Sequence, residues 1–430
     1  MGAGLPASKS RVGALIGRID RPLAVLSLAG FISQVGVAVM LPLLPLYAHQ
    51  LGASPFTLGL LTSGFAVLNT AGQLAVGFLS DRFGARRMVP GGLGIYAVAN
   101  ALIATATSAN PLIAFRSLAG FGGGISIVAE RIYLARVAAS ERLAFTNGIL
   151  SAAQSAGTVT GPAMAGLLAA ASDLRVPFVL VAVTSVLAFT GTLFLPPEPA
   201  AAGAPAATIT EAVPGIREPA RAPGGSPEGV DRTGRVEAAG PTRVPLRPLV
   251  ALLLANLGLQ AGFGAFITTY APFATTRLGW SIAEVGIVFS LFGAGSIVLG
   301  PWLSGIADRR GRRLVAVVGT LPVIVWGPLM VLGLPNPIIY AGSVVAGGGL
   351  TAFGASWYAL LSEASPADRQ GRYFGFISAI STLGIIVGAI AASTLWEAVD
   401  ISAGLLVASV AIAASIPALL ALPPERRATS

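Results

Sequence analysis

The sequence predicts an all-α membrane protein whose twelve transmembrane helices form two pseudo-symmetric six-helix bundles. Three observations carry that prediction. Of the 430 residues, 54% are hydrophobic and 10% charged, where a soluble domain carries about a quarter charged residues; the mean hydropathy is +0.79. The deficit of charge extends along most of the chain, so it reflects many spans and not a single anchor. The two halves also repeat one another at a constant offset.

A spanning helix needs about 20 apolar residues, and apolar runs between charges and turn residues supply twelve. Span 1, 22–48, follows a tail carrying Lys9, Arg11, Arg18 and Arg21. It is long enough to cross the bilayer, so it is expected to stay as a first helix and not to be cleaved as a signal peptide. Spans 2 and 3, 55–79 and 88–107, flank a basic turn with Arg82, Arg86 and Arg87. Span 4, 111–134, contains Arg116 and Glu130; span 5 covers 144–170 and span 6 covers 176–195. Spans 7 to 12 run over 248–274, 282–304, 314–333, 337–361, 373–395 and 401–422. The expected domains are a cytoplasmic tail 1–21, an N-terminal bundle 22–195, a flexible cytoplasmic linker 196–247, a C-terminal bundle 248–422 and a cytoplasmic tail 423–430.

With the N-terminus placed in the cytoplasm, all but three of the 27 Lys and Arg residues fall on the cytoplasmic side. The exceptions are Arg175 and Arg277 on the other side and Arg116 within span 4. This is the positive-inside bias, so the net charge of +9 reports topology and not nucleic acid. A multi-pass protein of the cell (inner) membrane with both termini cytoplasmic is expected. Residues 196–247 are rich in Pro, Ala and Gly with no apolar period, too little to bury a core. A flexible chain of that length reaches ~40 Å, enough to tether two bundles. The chain has no Cys and a single His, His49, which leaves no thiolate or His-based metal site. No cofactor is expected.

The halves align without a gap at an offset of 227 residues. Leu51-Gly52-Ala53-Ser54 matches Leu278-Gly279-Trp280-Ser281, and Asp81-Arg82-Phe83-Gly84 matches Asp308-Arg309-Arg310-Gly311. Gly120 and Gly122 match Gly347 and Gly349; Gly157 and Gly161 match Gly384 and Gly388. Six spans per copy is an even number, so both copies sit the same way up. Such parallel half-repeats place a substrate site between them near mid-membrane.

The segment Gly77-Phe78-Leu79-Ser80-Asp81-Arg82-Phe83-Gly84-Ala85-Arg86-Arg87, with its second copy around Asp308, resembles the loop signature of the major facilitator superfamily. The resemblance covers the chain apart from tails and linker. Asp81 closes span 2, and Gly84 permits a turn that a residue with Cβ would resist. In that family the Asp meets the N-terminus of helix 11 when the cytoplasmic side is shut, where the helix dipole favours a carboxylate by ~0.3–1 kcal/mol. The resemblance implies that Asp81, Arg82, Gly84 and Arg86 latch a closed cytoplasmic gate. By the repeat it extends to Asp308, Arg309 and Gly311, although Ser304 replaces the leading Gly77.

Positions where the copies have diverged can hold asymmetric chemistry. Arg116 corresponds to Ser343, Glu130 to Trp357 and Pro162 to Ala389. A guanidinium at membrane depth costs at least ~2.5–3.5 kcal/mol unless paired or hydrated, so Arg116 is expected to face a wet cavity or a partner. Its surroundings resemble the helix 4 motif of drug–proton antiporters, with Ala119 where Gln is usual. Glu130 lies ~21 Å further along the helix, too far to pair with Arg116. It is read first as a partner for Arg82 or Arg86, and otherwise as a proton-binding site. Span 5 places Gly157, Gly161 and Ala165 four apart on one face, with Pro162 bending the helix and Gly166 following. This resembles the antiporter motif of the family's exporters and is expected to meet Gly286, Ser290 and Ala294 of span 8.

Polar side chains at mid-depth, Gln34, Asn69, Gln73, Asn100, Gln154, Asn256 and Gln260, are candidate cavity liners, as are the aromatic Tyr270, Trp326, Trp357 and Tyr358. Spans 1 and 7 hold no acid, which points to a neutral, amphipathic or weakly anionic small solute. The resemblance implies an exporter working by alternating access, with protons as an exchange partner; the lack of an acid in span 1 departs from many proton-driven exporters and leaves Glu130 as the fallback carrier. A monomer in the lipid bilayer is expected. An importer of a sugar or other metabolite, or a transporter-like receptor or scaffold, are the alternatives. Nothing resembles an enzyme: there is no P-loop, metal cluster or nucleophile–base pair.

Overall fold

The computed structural model describes residues 20–137, 143–198, 246–365 and 370–422, with all their side chains except those at 77, 78, 81, 143–145, 308, 370–375 and 378. Among the described residues every regular element is a helix. In the first half these are α1 (Arg21–Gln50), α2 (Pro55–Phe83), α3 (Ala85–Ala104), α4 (Ala109–Val137), α5 (Leu143–Ala171) and α6 (Val176–Thr192). The second half has α7 (Leu246–Thr276), α8 (Ile282–Val298), α9 (Gly300–Arg310), α10 (Arg312–Val331), α11 (Asn336–Ala364), α12 (Gln370–Ala398), α13 (Ile401–Ala413) and α14 (Ser415–Leu420). Two expected spans are broken. Span 8 bends by 42° between α8 and α9, because Pro301 at the start of α9 has no N–H to continue the ladder. Span 12 breaks between α13 and α14. Counting each broken pair once gives the twelve-helix fold.

The duplication is legible in backbone geometry. Gly84 and Gly311 each end one helix and begin the next with φ of 79° and 104°, a region costly for residues with Cβ. Gly52 and Gly279, another pair at the same offset, have φ of 83° and 68°. The helices that follow are capped alike: Ser54 accepts from the Thr57 N–H and Ser281 from the Glu284 N–H. Such caps contribute typically ~1 kcal/mol.

Packing repeats as well. In the first half α2 packs on α4, α1 on α5 and α3 on α4; in the second α8 packs on α11, α7 on α12 and α10 on α11. Small residues let these backbones approach: a Cβ at Gly120 would strike the Phe65 carbonyl, and one at Gly347 would strike the carbonyl of its counterpart Phe292. The halves meet through two equivalent pairs, α5 with α8 and α2 with α12, and through α1 with α7.

The apolar core is divided unevenly. At the end away from the basic loops one cluster runs through both halves, including Leu43, Tyr47, Phe178, Tyr270, Phe273 and Trp326. At the basic end each half has its own, around Leu26 and Tyr133 in the first and around Leu252 and Leu361 in the second. The bundles are therefore sealed together at one end only. Of the expected linker 196–247, residues 199–245 lie outside the described residues. Its first residues are held by the N-terminal bundle: Tyr133 Oη donates to the Pro196 carbonyl at 3.0 Å, and Glu198 pairs with Arg136 at 2.9 Å.

Candidate functional site

Between the two halves lies a cavity of about 1190 Å³ lined by α1, α2, α4 and α5 of one half and α7, α8, α10, α11, α12 and α13 of the other. Its lining residues sit at mid-depth and toward the basic end, from Gln73 and Arg131 on one side to Tyr358 and Thr382 on the other. The opposite end is closed. There Thr62 and Thr268 hydroxyls are 3.2 Å apart, the Phe56 N–H donates to Glu397 at 3.3 Å, and a Cβ at Gly286 would strike the Pro162 carbonyl.

The α5–α8 seam forms, but not through the expected Gly157–Gly161 face of α5: Gly286 of α8 meets Pro162 and Gly166 instead. Pro162 bends α5, and the neighbouring Ala163 N–H donates to Ser290 Oγ at 2.9 Å. Gly166 lies against the Ile282 carbonyl. Gly157 and Gly161 face the other way, against α1 at Phe31 and Val35, and Ala165 is fully buried.

Of the polar candidates, Gln73, Asn256 and Gln260 line the cavity, as do Trp326, Trp357 and Tyr358. Gln34, Asn69, Asn100, Gln154 and Tyr270 do not. Each satisfies a neighbouring helix instead: Gln34 donates to Thr158, Asn69 to the Gly120 carbonyl, Asn100 to Ser185, Gln154 to Glu130 and Tyr270 to the Val285 carbonyl. A buried polar group must find a partner, and at mid-membrane the nearest one is on the adjoining helix.

Arg116 does not face the cavity. It is 4% exposed, with its guanidinium 4.0 Å from the centroid of the Phe65 ring. Arg116, Gly120 and Gly124 recur every four residues and share one stripe of α4. Gly120 and Gly124 press that stripe onto the Phe65 and Asn69 carbonyls of α2, at a depth where the halves are already sealed. Glu130 is also relocated. It is 1% exposed, accepts from Gln154 Nε2 at 3.3 Å, and its other oxygen has no hydrogen-bond partner among the described residues. It is not bonded to Arg82 or Arg86. Arg82 lies over the Phe83 ring at 5.4 Å, and Arg86 turns toward the end of α6.

In the loop motif the side chains of Asp81 and Asp308 lie outside the described residues, and Arg309 is exposed. Arg86 Nε donates to the Leu195 carbonyl at 2.8 Å. At the same offset, Arg313 Nη1 donates to the Leu422 carbonyl at 2.7 Å. Both arginines thus close the C-terminal end of the sixth span of their own half, complementing its carbonyls. The Glu198 carboxylate accepts from the Arg86 backbone N–H and pairs with Arg136; in the other half Arg312 pairs with Glu363.

Sequence reasoning missed Glu198, Arg136 and Arg313, and it missed what the cavity is made of. Arg131 is the one charged side chain among the described liners. The second half contributes an aromatic wall. Phe266 is 5.2 Å from Trp326 and 6.1 Å from Phe289 between ring centroids, and Phe292 is 5.7 Å from Trp326. The indole N–H groups of Trp326 and Trp357 are spent on the carbonyls of Ile339 and Leu252.

A family model described as Major Facilitator Superfamily matches residues 26–248 and 252–430. The chain is 29% identical over 378 residues to a chloramphenicol resistance protein of Streptomyces lividans, covering 87% of this chain and 89% of that one. It is 23% identical over 279 residues to the quinolone resistance protein NorA of Staphylococcus aureus, 64% of this chain and 65% of that one. Among curated relatives the share of the relative's length that is covered falls to 45% for an archaeal transporter. The fold is similar to the crystal structure of the nucleoside transporter NupG, with a TM-score of 0.72 at 15% identity over 93% of this chain and 98% of that one.

Proposed function

Because the chain belongs to the Major Facilitator Superfamily, we propose that it is a secondary active exporter working by alternating access. Its solute is a small amphipathic compound, neutral or weakly anionic, taken up from the cytoplasm in exchange for protons. The observation that carries this reading is the cavity between two like-oriented bundles, sealed at the end away from the basic loops and lined toward the basic end. Basic loops belong on the cytoplasmic side, so the cavity faces inward in this conformation and both termini are cytoplasmic. Export is supported by the α5 motif Gly157, Gly161, Pro162, Ala165 and Gly166, of which Pro162 and Gly166 lie at the seam with α8, and by the two resistance proteins among the relatives.

In the opposite conformation the halves rock so that the basic ends meet. The loop motif, Asp81, Arg82, Gly84 and Arg86 with Asp308, Arg309 and Gly311, latches that closure. Glu130 carries the proton: it is a buried carboxyl beside a cavity residue, with a neutral amide as its donor. The test is flux through the purified chain in proteoliposomes carrying an inward proton gradient. Gradient-driven movement of chloramphenicol or a quinolone, with matching alkalinisation of the proton-rich side, is expected. Uphill movement without any proton flux would refute the coupling.

A further inference from the structure

We propose that Arg131 and Tyr358 form a side-chain gate across the mouth of the cavity at its basic end, a bridge that a solute must part to enter. This rests on the reading of the cavity as the solute site. On α4 the lining runs through Ile127 and Val128 and ends at Arg131; on α11 it runs through Gly354 and Trp357 and ends at Tyr358. Both helices continue toward the basic loops, and neither contributes a described lining residue beyond these two. The two positions are also a pair of the repeat, separated by the same offset as Gly84 and Gly311. In halves related by an axis along the membrane normal, equivalent residues that face the axis stand opposite one another at one depth. The guanidinium and the phenol are close enough to interact electrostatically across the gap, and Arg131 interacts in the same way with Glu130 beside it.

Each partner is braced within its own half. Trp357 and Tyr358 meet edge to face with ring centroids 5.0 Å apart, and the Trp357 indole N–H is bonded to the Leu252 carbonyl of α7. On the other side Glu130 is tied to Gln154 of α5, which fixes the turn of α4 from which Arg131 extends. The helices α4 and α11 are not among the closely packed pairs, so side chains must bridge the gap between them, and arginine is among the longest available. Divergence of the repeat supplies the chemistry. Two arginines facing each other would repel, and two tyrosines would lack a charge. Arg opposite Tyr brings a planar cation to an aromatic ring and to a hydroxyl that can accept its N–H groups. Such a contact is weaker than a bidentate ion pair with a carboxylate, as suits a contact that is broken at every solute entry.

The test uses cysteine reporters in the full chain, which has no Cys of its own. Ser155→Cys places one on the cavity lining, and Thr62→Cys places one at the sealed end. Labelling rates are measured in the purified protein with two thiosulfonate reagents of similar size, one an ammonium and one a sulfonate. Arg131→Gln and Tyr358→Leu should each raise the Ser155→Cys rate about tenfold with both reagents, the effect of losing one cation–ring contact. The double variant should label no faster than about twice either single one, because a gate that lacks one leaf is already open. Thr62→Cys should keep the parent's rate throughout, since the gate is local. Four results would overturn the gate: unchanged rates, effects that multiply in the double variant, opposite changes for the two reagents, as charge alone would give, or faster labelling of Thr62→Cys, as a shift of the whole molecule would give. If the labelling results hold and chloramphenicol and quinolones are not moved in counterflow, the gate stands and the exporter reading falls.

Discussion

Glu130 and Arg131 are neighbours in sequence, but the helix sends them in different directions. Successive residues are about 100° apart on a helix, so Arg131 meets the cavity while Glu130 meets α5 through Gln154. The Glu130 carboxyl is 1% exposed with the Gln154 amide as its hydrogen-bond donor, and the proposal that it carries the proton rests on that burial. Glu130→Gln keeps the shape and the contact with Gln154. We expect it to reduce solute-driven pH change to the level of empty liposomes while counterflow, which needs no net proton movement, continues. Loss of both activities together would assign Glu130 to packing. Arg116 shows the complementary case. The glycines four and eight residues later pointed to the helix it faces, and no cavity opens at that depth.

Helix contacts carry the next set of consequences. The seam between α5 and α8 depends on Gly286, whose missing side chain lets the Pro162 carbonyl come within contact. Gly286→Leu should overpack that end and lower stability by about 1–3 kcal/mol, seen as a lower thermal midpoint, with impaired flux because the sealed end no longer closes. The arginine caps are a repeat-related pair. Arg86→Gln and Arg313→Gln should each cost about 1–2 kcal/mol by leaving a carbonyl at the end of a sixth span without its cationic donor. The two sites are in different halves, so their effects should add in the double variant, checked by thermal unfolding. A much larger loss in one half would show that its arginine has a second duty, as the gate role of Arg86 would require.

For the whole molecule, the decisive feature is that one apolar core bridges the halves at one end while each cluster at the basic end stays within one half. Alternating access requires that this seal open. Thr62 and Thr268 hydroxyls are 3.2 Å apart across it, and the chain contains no Cys, so a paired replacement gives a clean test. Thr62→Cys with Thr268→Cys should form a disulfide that stops flux, and reduction should restore it. Flux that persists in the oxidised, cross-linked protein would exclude rocking about this seam.

Spans and repeat were legible in order because each follows from local composition: twenty apolar residues must be helical in a bilayer, and equal sequences at one offset build equal turns, as Gly84 and Gly311 do. That spans 5 and 8 approach closely was legible for the same reason, but the face was not: Gly157 and Gly161 pack on α1, while Pro162 and Gly166 meet Gly286. Which polar groups line the cavity was not legible. Gln34, Asn69 and Gln154 have the same side-chain chemistry as Gln73, Asn256 and Gln260, and only the placement of neighbouring helices decides which reach the cavity, where Gln73 still donates to Asn69 and Asn256 to Ser381. The cavity's charge moved from Arg116 to Arg131 on that ground alone: both lie on one helix, but the halves are sealed at the depth of the first and parted at the depth of the second.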